Sequence, residues 1–260
     1  MPRDSIITGL DIGSTAIRIV VGQKSRNDDR LHIVGAVEAP AQGISKGVVN
    51  SVEDAVSSIS LALEKIERMV GQPVDHAGIG ISGGHIIAQE SRGVVAVSKP
   101  DGEIRAEDVE RAIGAARAVS IPPNYEIIHV IPKSFTVDSQ IGIKDPIGMT
   151  GIRLEVETQI IQGLTAQIKN LTKCIYRTGL DIDDLVLSVL ASAESVLTNR
   201  QKDLGVVVVN LGGATTSLSV FEEGDVLHTA VLPVGSEYIT NDIAIGLRIS
   251  IDTAEKIKVR

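Results

Sequence analysis

One short pattern occurs twice in the chain and constrains its fold more than any other feature. An apolar, strand-like run at 6–12 leads into a Gly-Ser-Thr turn at 13–15, and a second apolar run at 17–21 follows. Another run at 206–211 leads in the same way into the turn Gly-Gly-Ala-Thr-Thr at 212–216. After each of these hairpins come a third strand and an amphipathic helix. An internal repeat at such a long period predicts two similar domains that face each other.

The helices are predicted from the spacing of apolar residues. From Val52 to Val70 these residues recur at alternating spacings of four and three, which places them on one helical face. Ser51 supplies an N-cap for this helix, and Gly71 ends it. Further helices are expected at 164–175, 191–200, 239–247 and 252–258, and further strands at 31–39, 77–81 and 185–188. The first domain is therefore predicted to comprise 1–83 and 162–200, and the second to begin at 201 and run to 260.

The segment 84–161 has a different character and is predicted to be a small inserted α+β domain. It combines short β-like runs with one helix at 106–119 and two turn-rich loops. The β-like runs lie at 86–90, 94–97, 127–135 and 155–161, and the loops at 122–124 and 142–148. Just before it, residues 78–83 match the pattern G-x-G-x-x-G, but a β-like run follows them where a dinucleotide-binding loop would open a helix. They are interpreted as a glycine-bearing strand.

The second copy of the repeat is shorter than the first. It stops after its first helix and the short helical piece at 252–258, which leaves about four elements without a counterpart. The chain is therefore expected to be part of a longer protein, with its second domain incomplete. A naturally shortened form is the alternative.

The two turns offer the groups that bind phosphate. Glycine lets the backbone approach an anion closely, and a tight turn gathers several N–H groups. Asp11, just before the first turn, is able to hold Mg²⁺ through water, and Asn210 occupies the same place before the second turn. Either turn alone is an ordinary hairpin turn, but the pair favours a phosphate clamp. Glu255 and Lys258, taken alone, indicate only a solvated pair on the last helix.

Composition excludes several classes of function. The net charge of −8 argues against a general nucleic-acid-binding protein, which needs a basic face. The single cysteine, Cys174, excludes an intramolecular disulfide and a cysteine-cluster zinc site, and the five histidines show no metal-ligand spacing. No apolar run approaches the length of a membrane span, and no secretory signal is legible, so we expect a cytosolic protein. No catalytic residue is predicted.

These features resemble the superfamily of actin, heat-shock chaperones and sugar kinases, and within it the chain is similar to the FtsA family of bacterial cell-division proteins. The resemblance covers nearly the whole chain, in the stretches 9–15, 80–86, 129–138, 142–149, 151–155, 190–193, 197–198, 204–205, 233–235, 242–244 and 254–258. Gly-Ile-Lys-Asp-Pro-Ile-Gly-Met at 142–149, with 151–155, is the most specific. The insert at 84–161 is diagnostic, because actin places its extra domain elsewhere and sugar kinases lack this one. The implied fold is the actin-like ATPase fold, with duplicated ribonuclease-H-like domains and an inserted α+β subdomain.

The resemblance also implies a ligand and the residues that hold it. ATP with Mg²⁺ is expected between the two domains. The implied residues are Asp11, Gly13, Ser14 and Thr15 in the first phosphate loop, Gly212, Gly213, Thr215 and Thr216 in the second, Asp11 and Asn210 near Mg²⁺, and Glu255 and Lys258 at the ribose and adenine. No residue is expected to bind a metal directly.

The implied role is that of a scaffold. FtsA-like proteins tether the division protein FtsZ to the cytoplasmic face of the membrane at the division site, polymerise like actin and work with other divisome proteins. The insert at 84–161 is expected to contribute to the filament. The family's C-terminal amphipathic membrane helix is not among these 260 residues, so this chain alone is expected to bind nucleotide poorly and not to bind membrane.

Two residues depart from the family pattern. The second hairpin usually carries aspartates where this chain has Asn210 and Ser217. Because an amide cannot serve as a carboxylate base, weak or absent ATP hydrolysis is predicted. Two alternatives remain: an actin-like platform of another machine, such as type IV pilus assembly, or a small-molecule kinase of the same superfamily. A kinase would need a carboxylate base near the transferred phosphate, and Asn210 and Ser217 remove the obvious candidates.

Overall fold

The computed structural model of the protein describes residues 5–24, 30–98, 100–118 and 121–260. In chain order, the elements up to the start of the insert are β1 (Ser5–Ile12), β2 (Ala16–Lys24), β3 (Leu31–Pro40), β4 (Ile44–Ser45), β5 (Val48–Val49), α1 (Val52–Val70) and β6 (His76–Ile81). The insert contributes β7 (Ile86–Ala96), α2 (Ala106–Arg117), β8 (Tyr125–Val137), β9 (Gln140–Ile143) and β10 (Arg153–Leu164).

The remaining elements follow the insert. They are α3 (Thr165–Arg177), β11 (Asp181–Leu187), α4 (Ser188–Val196), α5 (Asn199–Leu204), β12 (Val206–Leu211), β13 (Thr216–Glu222), β14 (Asp225–Leu232), α6 (Ser236–Leu247) and α7 (Ile251–Lys258). None of the helices in the described ranges is both long and apolar enough to cross a membrane.

A five-stranded sheet in the order β11-β6-β1-β2-β3 forms the first half of the molecule. β1, β2 and β3 are antiparallel neighbours, whereas β6 and β11 run parallel to β1. Because parallel strands end at the same side of a sheet, the carboxyl ends of β1, β6 and β11 lie together. The β1–β2 hairpin turns at that same end of the sheet.

Helix α1 packs on this sheet as its apolar spacing predicts. The Ser51 hydroxyl accepts a hydrogen bond from the Asp54 N–H at 3.4 Å, and Gly71 ends the helix in the left-handed region at φ 72°. Ile59 and Ile66, on the predicted face, are completely buried in the main core. The predicted helix is confirmed at both ends.

The insert has its own sheet and its own core. The order β7-β10-β8-β9 is antiparallel throughout. Helix α2 covers one face, where Ala112 and Ala116 are fully buried against Leu154 and Val156. The small alanine side chains let the helix backbone approach the sheet closely.

The second half contains the antiparallel sheet β12-β13-β14, followed by α6 and α7. It contacts the first half through Val208 and Val231, which pack against the main core, and through polar side chains. The hydroxyl oxygens of Ser82 and Ser217 lie 2.9 Å apart, and the Lys46 ammonium donates to the Tyr238 hydroxyl at 3.2 Å.

The insert also contacts the second half. Lys144, in the loop after β9, forms an ion pair with Asp225 at the start of β14 and lies 3.9 Å from the Glu223 carboxylate. This lysine belongs to the stretch 142–149. The most specific stretch of the sequence therefore holds the insert against the β13–β14 hairpin.

The predicted single helix at 191–200 is wrong. Helix α4 begins earlier, at Ser188, and the chain becomes extended at Leu197. The Thr198 and Gln201 side chains then form a reciprocal capping box that starts α5. A local capping signal therefore divides a run that looks continuous by hydrophobicity, and the strand predicted at 185–188 ends at Leu187.

Predictions within the insert also need correction. The runs at 86–90 and 94–97 form one strand, β7, because Arg92 in the polar middle pairs with Glu157 across the sheet instead of breaking it. Likewise, the first part of the loop predicted at 142–148 lies in β9. Helix α2 ends at Arg117, and Val119 of the predicted helix lies outside the described residues.

The contact between α2 and its sheet can be tested at Gly93. A Cβ there would overlap the carbonyl oxygen of Ala112 and lie 2.6 Å from the Ala116 nitrogen. We expect Gly93→Ala to lower the free energy of unfolding by roughly 1–3 kcal/mol, measured by urea denaturation. Gly114→Ala is the matched control in α2, since a Cβ at Gly114 meets nothing within 4 Å. It should raise stability by up to about 1 kcal/mol. Equal stability of the two variants would contradict this packing.

Candidate functional site

The two glycine turns have the same backbone geometry. Gly13 donates its N–H to the carbonyl oxygen of Ala16 at 3.0 Å, and Gly212 donates to that of Thr215 at 2.9 Å. A Cβ on either glycine would lie 2.8 or 2.9 Å from the same oxygen, so neither position has room for a side chain. The repeat seen in the sequence therefore extends to individual hydrogen bonds.

The strands that lead to these turns also correspond in register. Asp11 lies opposite Arg18 in the β1–β2 hairpin, and Asn210 lies opposite Ser217 in the β12–β13 hairpin. Asp11 and Asn210 thus occupy equivalent places, as the sequence predicts. The charged pair of the first hairpin is replaced by a neutral pair in the second.

The tips of the two turns touch each other. A Cβ on Gly213 would overlap the methyl group of Thr15, so the glycine is what allows this approach. Helix α6 supports the second tip from behind, because the N–H groups of Ser236 and Glu237 donate to the carbonyl oxygens of Gly212 and Gly213 at 2.9 and 2.8 Å. These bonds satisfy donors that a helix N-terminus otherwise leaves free.

A cleft of about 850 Å³ opens beside this contact, between the two halves of the molecule. Seven of the predicted site residues line it: Asp11, Thr15, Asn210, Gly212, Gly213, Glu255 and Lys258. The other four, Gly13, Ser14, Thr215 and Thr216, lie in the turns but do not line the cleft. The Thr216 hydroxyl donates to the carbonyl oxygen of Val234 at 2.7 Å, so it joins β13 to the chain before α6.

Glu255 and Lys258 form part of a network on the cleft wall. Thr240 of α6 donates its hydroxyl to the Glu255 carboxylate at 2.6 Å, and the Lys258 ammonium lies 2.7 Å from the same carboxylate. Lys258 also donates to the Thr240 hydroxyl at 3.0 Å. The hydrogen bonds from Lys258 and Thr240 hold the pKa of Glu255 below its ordinary value. Helices α6 and α7 are thereby joined where they face the cleft.

Several cleft residues were not predicted. Those from the second half are Leu211, Ser236, Glu237, Thr240, Asn241, Ile251 and Asp252, and those from the first half are Arg18 and Ser192. Arg18 had a usable signal, since hairpin register alone places it opposite Asp11. The others depend on how helices from distant parts of the chain pack, which spacing does not reveal.

The charges of the cleft are mixed. Arg18 is the cationic group nearest the first turn along the chain, and it pairs with Glu38 of β3 at 2.9 Å. Asp11 accepts a hydrogen bond from the Ser188 hydroxyl at 2.8 Å. The other carboxylates that line the cleft belong to Glu237, Asp252 and Glu255. In the described part of the chain, no group of three or more His, Cys, Asp or Glu side chains converges on a possible metal position.

Comparison with known proteins gives two family matches. Residues 83–162 match the family described as "SHS2 domain inserted in FTSA", and residues 207–260 match "Cell division protein FtsA". The first of these covers the sheet β7-β10-β8-β9 with α2, and the second covers β12–β14 with α6 and α7.

Curated relatives and solved structures agree with these matches. Cell division protein FtsA of Bacillus subtilis strain 168 is 41% identical over 258 residues, which cover 99% of this chain and 58% of the relative. The structure of a PilM–PilN type IV pilus biogenesis complex aligns with a TM-score of 0.71 at 15% identity, over 97% of this chain and 68% of that one. MreB5 of Spiroplasma citri bound to ADP aligns with a TM-score of 0.50 at 11% identity, over 97% of this chain and 61% of that one.

The two structural likenesses show the fold alone, which is the actin-like fold with an inserted subdomain. The sequence relationship carries the family assignment. The chain spans 58–60% of the length of the first curated relatives that it matches. By its sequence, the chain belongs to the FtsA family of cell division proteins.

Proposed function

We propose that this chain forms the nucleotide cleft of an FtsA-type cell-division scaffold and binds ATP with Mg²⁺ in the cleft beside the contact of its two glycine turns. The observation that carries the proposal is the pair of equivalent turns, Gly13–Ala16 and Gly212–Thr215, which meet tip to tip beside a polar cleft. Two tight turns offer backbone N–H groups to a polyphosphate from both sides. The MreB5 structure that shares the fold was solved with ADP, which agrees with a nucleotide as the ligand.

The residues of the cleft fit this ligand. Gly212 and Gly213 line the cleft and carry no side chain, so an anion can approach the second turn closely. Thr15 supplies a hydroxyl beside the tips, and Lys258 of α7 supplies a cation to the lining of the cleft. Asp11 would hold Mg²⁺ through water, and the bound ion would neutralise part of the phosphate charge. The Thr240–Glu255–Lys258 network offers donors and acceptors to the ribose and adenine.

Weak hydrolysis follows from the second hairpin. Asn210 lines the cleft but carries an amide, which cannot accept a proton from water at neutral pH. Ser217 is 2% exposed and bonded to Ser82, so its hydroxyl is taken up in the contact between the two halves. Because neither residue can act as a base, we expect the bound nucleotide to support assembly of the protein and to be hydrolysed slowly.

The wider role rests on family membership, because the chain spans less than two thirds of its relatives. The whole protein would tether FtsZ to the cytoplasmic face of the membrane at the division site through a C-terminal amphipathic helix. It would polymerise with a contribution from 84–161 and bind other divisome proteins. The pilus-assembly alternative has only the fold likeness at 15% identity in its support. The 41% identity to FtsA favours division.

Nucleotide binding is tested by titrating the 260-residue chain with a fluorescent ATP analogue in Mg²⁺, up to millimolar concentration. Gly13→Ala and Gly212→Ala should each weaken binding at least tenfold, because the new methyl presses on the carbonyl oxygen that closes its turn. Gly246→Ala in α6 is the control, since its Cβ meets nothing within 4 Å. Absence of binding by the unchanged protein would refute the proposal.

The hydrolysis prediction is tested with Asn210→Asp. The unchanged protein should release phosphate well below about one turnover per second, a low rate for an enzyme. Asn210→Asp should raise this rate, because it supplies a carboxylate beside the second turn. Asn241→Asp, which adds the same charge elsewhere in the cleft, should leave it unchanged. Ordinary enzymatic turnover by the unchanged protein would show that Asn210 is not limiting.

A further inference from the structure

Beside the cleft, the carboxyl ends of three strands of the first sheet bring together Asp11, which lines the cleft, and two residues behind it. Asp11 is near the carboxyl end of β1, and Gly80 lies directly beside it in the parallel neighbour β6. Ser188 follows β11 immediately, as the first residue of α4. These residues are far apart in sequence, so only the parallel arrangement of the strands makes them neighbours.

The contact between Asp11 and Ser188 is short and protected. The Ser188 hydroxyl donates to Oδ1 of Asp11 at 2.8 Å, a normal length for a hydrogen bond to a carboxylate. Ser188 is 7% exposed, so water competes little for this hydroxyl. The bond engages one carboxylate oxygen and leaves Oδ2 for another partner.

Gly80 provides the space in which this hydrogen bond forms. A Cβ at Gly80 would lie 3.0 Å from Oδ1 of Asp11 and 3.0 Å from Oγ of Ser188, which is closer than carbon normally approaches oxygen. The strand has a second glycine on the same face, Gly78, where a Cβ would meet only the Thr8 carbonyl oxygen at 3.9 Å. The requirement for glycine is therefore specific to position 80.

The backbone before Ser188 is also held. The Leu187 N–H donates to Nε2 of His129, in β8 of the insert, at 3.0 Å. Burial lowers the pKa of His129, which favours the neutral ring, the form whose nitrogen can accept a hydrogen bond. The start of α4 is thus fixed by a hydrogen bond from a different domain.

We propose that Ser188 is a positioning residue that orients the Asp11 carboxylate toward a hydrated Mg²⁺ ion, and that residue 80 is glycine to leave room for that contact. The inference rests on the proposed nucleotide function and deepens it. A carboxylate that accepts a hydrogen bond on one oxygen has less rotational freedom. Less conformational entropy is therefore lost when the complex of metal and nucleotide binds. If the hydrogen bond between Ser188 and Asp11 only joined α4 to β1, its loss would change the affinity for nucleotide equally with and without Mg²⁺.

The test compares the affinity of the 260-residue chain for ADP with Mg²⁺ and for ADP with a chelator. Ser188→Ala should reduce the Mg²⁺-dependent gain in affinity about 10- to 100-fold, the loss that is typical when a group orienting a metal-binding carboxylate is removed. Binding in chelator should change less than twofold. Gly80→Ala should give the same selective loss, because its methyl separates the two oxygens.

The controls are matched by position. Ser195→Ala removes an exposed hydroxyl from the same helix, and Gly78→Ala adds a methyl to the same face of β6. Neither should alter the Mg²⁺ dependence. Thermal unfolding shows whether each variant is folded, and Ser188→Cys, close in size but a weak donor, replaces the alanine variant if that one does not fold.

The outcomes separate the two claims. Failure of the unchanged protein to bind ADP would overturn both the proposed function and this inference. ADP binding that has no Mg²⁺ dependence would overturn the inference alone. So would equal losses for Ser188→Ala with and without Mg²⁺, or no loss at all. A selective loss in both Ser188→Ala and Gly80→Ala, with less than additive loss in the double variant, supports it.

Discussion

The contact between the two glycine turns is the constraint on which the rest of the structure depends. Gly213 can lie against Thr15 only because it has no side chain, and both residues line the cleft. The first tip is held by the end of the five-stranded sheet, and the second by the backbone N–H groups of α6. Each half of the molecule thus uses its regular elements to present one irregular turn to the other.

The joint between the halves combines hydrogen bonds with apolar packing, because Val208 and Val231 of the second half pack against the main core. The cores are built from isoleucine, leucine, valine and alanine at close packing. In the joint, Ser82 bonds to Ser217, and Lys46 bonds to Tyr238 and lies over its ring. Ser219 is fully buried, yet its hydroxyl has no partner among the described residues. Because single hydrogen bonds add little net stability, the packed valines also contribute to holding the two halves together.

Sequence reasoning succeeds here where local rules decide the structure. The helix from Val52 to Val70 is predictable because the spacing of its apolar residues indicates a helix and the residues next to it, Ser51 and Gly71, mark its two ends. The equivalence of Asp11 and Asn210 is predictable because the repeat preserves hairpin register. The division of the predicted 191–200 helix was missed because a capping box at Thr198 outweighs a continuous apolar pattern.

The site was only partly accessible to the same reasoning. The residues of the turns could be named from the repeat. Whether each of them faces the cleft depends on the local direction of the backbone, and the Thr216 hydroxyl donates to the carbonyl oxygen of Val234 instead. Ser188 and Gly80 could not be found, since their meeting with Asp11 depends on strand order in a parallel sheet. The sequence of one strand does not indicate which other strand will lie beside it in the sheet. It stays a prediction that Ser188 and Gly80 act through Asp11 and that the turn residues bind nucleotide.

Strand β13 connects two distant places in the molecule. It starts at Thr216, beside the second turn, and ends next to the hairpin that Lys144 of the insert holds through Asp225. Because β13 is hydrogen-bonded to β12 on one side and to β14 on the other, we expect it to be stiff along its length, from the cleft to the contact with the insert. Any tilt of this strand must either carry the insert along or break the Lys144 ion pair. The separation of the Lys144 and Asp225 side chains is therefore a local measure of how the second half of the molecule lies against the insert.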